Sequence, residues 1–263
     1  MKNIYLNTGT INEVFNGLET SFKGVLNSND NEFKLALDSD LIKGNIDGVT
    51  FINGITSIQV SITFSDDTLL SIEPLSKSSV LFAYCTEGSI KHSFGISGHK
   101  SILRKHHSAV VTSSRSINTI LHFKKNIPVK LSLIKVETEE RAHTNSSLIS
   151  QLKKTFLKKE PNYSYQGLQN LKIAAKFNQL NSIIEHGMIG HTMKKEILES
   201  ILALEIEDNT DNLIKMSRAI KQSALNQINE LKKIPISIKK YAIDAIYSKV
   251  APSRKTESLS TNL

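Results

Sequence analysis

The chain has one cysteine in 263 residues, no tryptophan and only five prolines. A single thiol, Cys85, excludes an internal disulfide and any cysteine-based zinc cluster. No stretch nears the roughly 18 apolar residues that a membrane helix needs. The opening MKNIYLNTGTINEVFNG lacks the continuous apolar segment of a signal peptide. No H-x-H pair occurs, no G-x-S-x-G elbow surrounds a serine, and no repeat of fixed period is visible. These absences predict a soluble, cytoplasmic protein without membrane partners, with no catalytic residue, cofactor or metal assigned.

What the chain does carry is apolar material and positive charge. Its hydrophobic fraction of 39% over 263 residues is enough for two packed domains. The net charge of +8 favours phosphate or another acidic partner, because neutralised phosphates release counterions. A lysine-rich solvated surface accounts for the same charge equally well.

Residues 1 to about 145 read as strands. VTFINGITSIQVSITF (49–64) is rich in β-branched residues, and SSVLFAYCTEGSIKHSFG (78–95) holds two apolar runs around Thr86-Glu87-Gly88, a hairpin signal. SAVVTSS, NTILHFKK and PVKLSLIKVE follow, so short strands and turns at about ten-residue spacing predict a sandwich or small barrel. A pocket inside such a barrel suits a small effector, and Phe82, Tyr84, Phe94 and Phe123 are its candidate lining, unless they simply fill the core. Glu87, His92, His106, His107 and His122 are the residues from which a metal centre could be drawn, but adjacent strand residues face opposite sides, so only one of His106 and His107 can point inward, and surface or half-buried histidines are the plainer reading. Cys85 in LFAYC reads as a small core residue.

From about residue 146 the pattern turns helical. LISQLKKTFLKK (148–159) repeats Leu148, Leu152 and Phe156, and GLQNLKIAAKFNQLNSII (167–184) predicts a second helix. Gly187 and Gly190 interrupt before MKKEILESILALEIED (193–208), where Ile197, Leu198, Ile201, Leu202 and Leu204 make one face. Glu205 lands on that stripe, so the last turn is expected to be exposed. A separate helix is predicted over Leu213–Leu231, capped by Asp211 and stopped before Pro235. Ser237 is a good N-cap for another, running to about Ala245.

PISIKKYAIDAIYS (235–248) resembles the first helix-turn-helix of AraC/XylS-type transcription regulators. Pro235, Ser237, Ile238, Ala242 and Ser248 match that pattern, while Tyr241 stands at its aliphatic position and Ile246 where the turn glycine is usual. The series LFAYCTEGSIKHSFG, SILRKHHSAVVTSS and INTILHFKKNIPVKLSLIKV resembles the cupin-like jelly-roll sensor that precedes such DNA-binding domains. MIGHTMKKEILESILALEIED resembles the linker helices that commonly mediate dimerisation there.

The resemblance implies an α+β chain with three parts: a cupin-like β sensor domain over 1–145, a helical linker over 146–208, and an incomplete helix-turn-helix domain with a polar tail over 209–263. It implies DNA as a partner through Ser237, Lys239, Lys240, Ser248 and Lys249, an unknown small-molecule effector, and a homodimer through Ile197, Leu198, Ile201, Leu202 and Leu204. The family continues after the turn with a recognition helix and a second helix-turn-helix. Here KVAPSRKTESLSTNL follows, and Pro252 at the fourth position of such a helix costs on the order of 3 kcal/mol. The expected function is therefore a shortened AraC-like regulator with weakened or lost sequence-specific DNA binding. Alternatives are a non-DNA-binding module that pairs with a full-length regulator, and a metal-dependent cupin enzyme.

Overall fold

A computed structural model describes residues 2–6, 9–29, 31–73, 79–112, 117–138, 147–157, 164–184 and 187–233. The chain begins with β1 (Lys2–Leu6), α1 (Ile11–Phe22), β2 (Val25–Asn29), β3 (Glu32–Asp38), β4 (Ile42–Thr50), β5 (Ile55–Phe64) and β6 (Thr68–Ile72). It continues through β7 (Ser79–Glu87), β8 (Ser89–Phe94), β9 (Ser101–Arg104), β10 (His107–Val111), β11 (Thr119–Phe123) and β12 (Val129–Glu137). The last elements are α2 (Ser147–Phe156), β13 (Ser164–Gln169), α3 (Leu171–Asn181) and α4 (Gly187–Lys233).

The strands form two sheets, in the orders β1-β6-β11-β8-β9 and β13-β10-β7-β12-β5-β4-β3-β2. The pair β1–β6 is parallel and the other pairs are antiparallel. The fold is α+β: a two-sheeted β body followed by a helical region.

Alternation along the strands gives the larger sheet two apolar faces. On β7, Cys85 and Ala83 belong to the core between the sheets, while Val80, Phe82 and Tyr84 belong to a second core beneath α2, α3 and α4. On β12 the same split separates Leu131 and Leu133 from Ile134 and Val136. Aromatic pairs seat the helices: Phe82 meets Phe156 edge-on at 5.3 Å, and Tyr84 stacks on Phe177 at 5.2 Å. Each such pair contributes roughly 0.5–1.5 kcal/mol beyond the area it buries.

Several sequence expectations change here. The β half contains a helix, α1, that the strand reading passed over. Its start is a capping box: the Thr10 N–H donates to Glu13 Oε2 at 2.7 Å, and the Glu13 N–H donates back to Thr10 Oγ1 at 3.4 Å. Its buried residues Phe15, Leu18 and Phe22 recur at helical steps, and Phe15 stacks on Phe33 at 5.0 Å. The expected helix over 167–184 starts later. Residues 164–169 instead pair with β10 as an edge strand, and Asn170 caps α3 by accepting from the N–H groups of Lys172 and Ile173 at 2.9 and 3.1 Å. Leu171 is exposed, and the buried face is Ile173, Phe177 and Leu180.

The helices expected over 193–208 and 213–231 are one helix, α4, and Asp211 lies inside it rather than at a cap. Asn209 and Thr210 do not break the helix, because their side chains donate back to the carbonyls of Glu205 and Ile206, each at 2.8 Å. Gly187 (φ +68) opens the helix, and Gly190 sits within its first turn. The chain divides into two compact units at Thr210/Asp211. Residues 146–208 thus supply a strand to the larger sheet as well as helices over its outer face.

Candidate effector cavity and the buried junction at helix α4

Between the two sheets lies a cavity of about 150 Å³ lined by Leu18, Phe22, Ile58, Val60 and Phe123 among others, and by Lys135. Lys135 is held in an ion pair with Glu137 at 2.8 Å. A smaller chamber of about 60 Å³ adjoins it, and the two share Ile72, Leu81, Leu121, Leu131 and Leu133 as wall. The smaller chamber brings in His92, Ser101 and Thr119. Concave, mostly apolar space with a few polar groups is the usual form of a small-molecule site.

His92 is inward because β8 alternates. Ile90 and His92 are buried toward the inter-sheet space, whereas Ser93 faces the other way and bonds His122 Nε2 at 3.2 Å. His92 Nε2 is buried without a hydrogen-bond partner among the described residues. Burial, and secondarily the nearby His122, push its pKa down to about 4, so the ring is uncharged at neutral pH. A buried polar atom left unpaired costs roughly 1–3 kcal/mol.

Of the four aromatic residues proposed to line an effector pocket, only Phe123 lies on this cavity wall. Phe82 and Tyr84 project from the opposite face of β7 into the helical layer, and Phe94 is half-buried with its ring edge-on to His92 at 4.8 Å. The histidines and Glu87 do not converge. Glu87 pairs with Lys130 at 2.7 Å, and His107 Nδ1 contacts the Lys105 carbonyl at 3.0 Å. Among the described residues no group of three or more His, Cys, Asp or Glu could hold a metal ion. Cys85 is fully buried, and burial pushes its thiol up to about 11.

The second concentration of polar groups lies on the far face of β7. There Glu205 of α4 is 3% exposed, the reverse of the exposed last turn expected from its place on the apolar stripe. Ser108 Oγ on β10 donates to its carboxylate at 3.4 Å. Burial, with the Asp208 charge adding to it against the Ser108 bond, pushes Glu205 up to about 7. Asn170 stands beside it: its carbonyl accepts from Tyr84 Oη at 3.3 Å, its N–H donates to the His106 carbonyl at 3.3 Å, and its side-chain amide donates to Asp208. Nothing in the residue types of this group marks it as a cluster, since it is drawn from β7, β10, α3 and α4.

Ile197, Leu198, Ile201 and Leu202, assigned to a dimer contact, are buried in the core that α4 shares with Phe82, Tyr84 and Phe177, and Leu204 packs half-buried against it. That face is used inside the chain. The proposed DNA contacts Ser237, Lys239, Lys240, Ser248 and Lys249 lie outside the described residues.

No family model matches the chain, and no curated protein does. Solved structures do resemble it. The AraC-like transcriptional activator CuxR is similar over 68% of this chain and 61% of its own, at 9% identity and a TM-score of 0.41. The apo form of a ToxT variant from Vibrio cholerae matches over 76% of this chain and 77% of its own, at 8% identity and 0.39. The cupin domain of an XRE-family transcriptional regulator from Enterobacter cloacae matches 36% of this chain and 96% of its own, at 12% identity and 0.29. No described helix is long and apolar enough to cross a membrane.

Proposed function

We propose that this chain is a ligand-responsive transcription regulator of AraC type, with the inter-sheet cavity as its effector site and no catalytic step. One observation carries the reading. β7 and β12 present alternate residues to the cavity and to the seat of α4, so a single strand thickness separates Leu81, Leu131 and Leu133 from Phe82, Tyr84 and Ile134. A ligand that fills the cavity pushes on the back of the surface that holds Glu205, Ile201 and Leu198. Protein interiors pack densely enough to pass such shifts on rather than absorb them. An effector that favours one arrangement of this layer over another biases the helix that leads toward the basic residues 239–249.

Those basic residues support DNA contacts of the phosphate-neutralising kind, which are salt-sensitive and indifferent to sequence. The homodimer uses a surface other than the buried Ile197–Leu202 stripe. The test is a titration of random duplex DNA at about 50 and 200 mM salt, using the full chain and a full-length variant with Lys239, Lys240 and Lys249 changed to Ala. The expected result is binding that weakens steeply with salt and is lost in the variant. If neither protein binds at either salt, DNA leaves the reading and the chain is a sensor module alone.

A further inference from the structure

We infer that His92 is the polar reader of the inter-sheet cavity, and that the effector is a small uncharged apolar molecule carrying one hydroxyl. This rests on the cavity being the effector site and adds what that site selects. Three observations converge on it. His92 is 9% exposed, and its Nε2 is a buried atom with no partner among the described residues. The residue forms part of the wall of the smaller chamber, whose remaining lining is almost wholly aliphatic apart from Ser101 and Thr119. Ser101 is already engaged, donating to the His92 carbonyl at 3.4 Å. Among the described residues, His92 Nε2 is thus the atom of this lining that is buried without a hydrogen-bond partner.

The chemistry of the ligand follows from the ring's state and from the space. Burial keeps the imidazole neutral near pH 7, so it offers a hydrogen bond and no charge with which to hold an anion. A neutral imidazole nitrogen is a donor or an acceptor according to tautomer, and a hydroxyl meets either. The larger chamber, at about 150 Å³, is of the size at which a dry apolar cavity accepts a benzene-sized body. The hydroxyl then reaches past Leu121 and Leu133, which both chambers share, toward His92.

The experiment uses p-cresol and p-xylene, which have the same shape and differ by a hydroxyl in place of a methyl. Their dissociation constants are measured by calorimetry on the full chain and on His92→Leu. The expected result is that the affinity ratio of p-cresol to p-xylene falls about tenfold in the variant, the worth of one hydrogen bond to an otherwise unpaired buried group. An unchanged ratio overturns the role of His92. Binding of p-xylene but not p-cresol to the natural chain overturns it too, while leaving the cavity as an effector site. Binding of neither removes the effector reading along with it. Should His92→Leu fail to fold, the natural chain still decides: the ¹⁵N resonance of His92 Nε2 moves on adding p-cresol and not on adding p-xylene. A resonance that stays still while p-cresol binds refutes the contact.

Discussion

Replacing Glu205 with Gln removes a carboxylate that α4 buries against the larger sheet. The carboxyl is 3% exposed, so solvent screening does not dilute the effect. A group that titrates near 4.5 when unfolded and near 7 when folded binds its proton more tightly in the folded chain. Its contribution to stability is fully present below pH 4.5 and is lost as pH rises through 7, a fall of roughly 3 kcal/mol at about 1.4 kcal/mol per pH unit. The groups facing it do not mask this. Ser108 and Asn209 carry no charge, and Tyr84 is pushed up to about 12 and stays protonated. Glu205→Gln keeps the size and can keep the Ser108 bond, so it should match the natural chain near pH 4.5. It should then exceed it by up to roughly 3 kcal/mol at pH 8. Urea unfolding of both proteins from pH 4.5 to 8 reads the difference, in which the titration of His92, common to both, cancels. Curves that stay parallel within about 0.5 kcal/mol across that range would refute the buried-carboxylate argument.

Phe177→Ala removes the ring stacked on Tyr84 and should cost about 3–5 kcal/mol, seen as a lowered urea midpoint. A loss under about 1 kcal/mol would mean that α3 is not seated there. Gly44 has φ +133 and an added Cβ would lie 2.0 Å from the Ser61 carbonyl oxygen, so Gly44→Ala should destabilise by about 2–3 kcal/mol. A calorimetric Tm that does not fall would contradict that close approach of β4 to β5. Cys85, buried and with its thiol raised to about 11, should resist a thiol-reactive dye in buffer and react at once in urea. Rapid labelling of the native chain would show the core between the sheets to be open.

Period-two alternation made the β body readable, and β12 is its clearest case, with Leu131 and Leu133 on one face and Ile134 and Val136 on the other. Parity alone does not say which of two cores a face meets, and for that reason Phe82 and Tyr84 were grouped with Phe123 although they point the opposite way. The helix α1 was legible through Thr10-x-x-Glu13 followed by Phe15, Leu18 and Phe22, a pattern that a strand-centred reading overlooks. β13 was not legible, because it is held by backbone pairing to β10 rather than by alternation of its own. The unbroken α4 and the buried Glu205 share a cause: Asn209, Thr210 and Glu205 look like termination signals until tertiary partners and back-donated bonds absorb their polar groups. His92 could be noticed as a residue, but its unpaired nitrogen exists only once the phase of β8 and the cavity are known.

Asn170 joins more pieces of this chain than its size suggests. It starts α3, takes the Tyr84 hydroxyl from β7, donates its backbone N–H to His106, and reaches Asp208 on α4. Such a residue constrains how the protein can change over generations. Asp at this position would keep the helix cap and set a second carboxylate against Asp208, and Ser would keep the cap and fall short of α4. A change at position 170 that keeps these contacts therefore needs a matching change at position 208, and a chimera that joins a foreign α3 to this α4 would carry the mismatch at this one side chain.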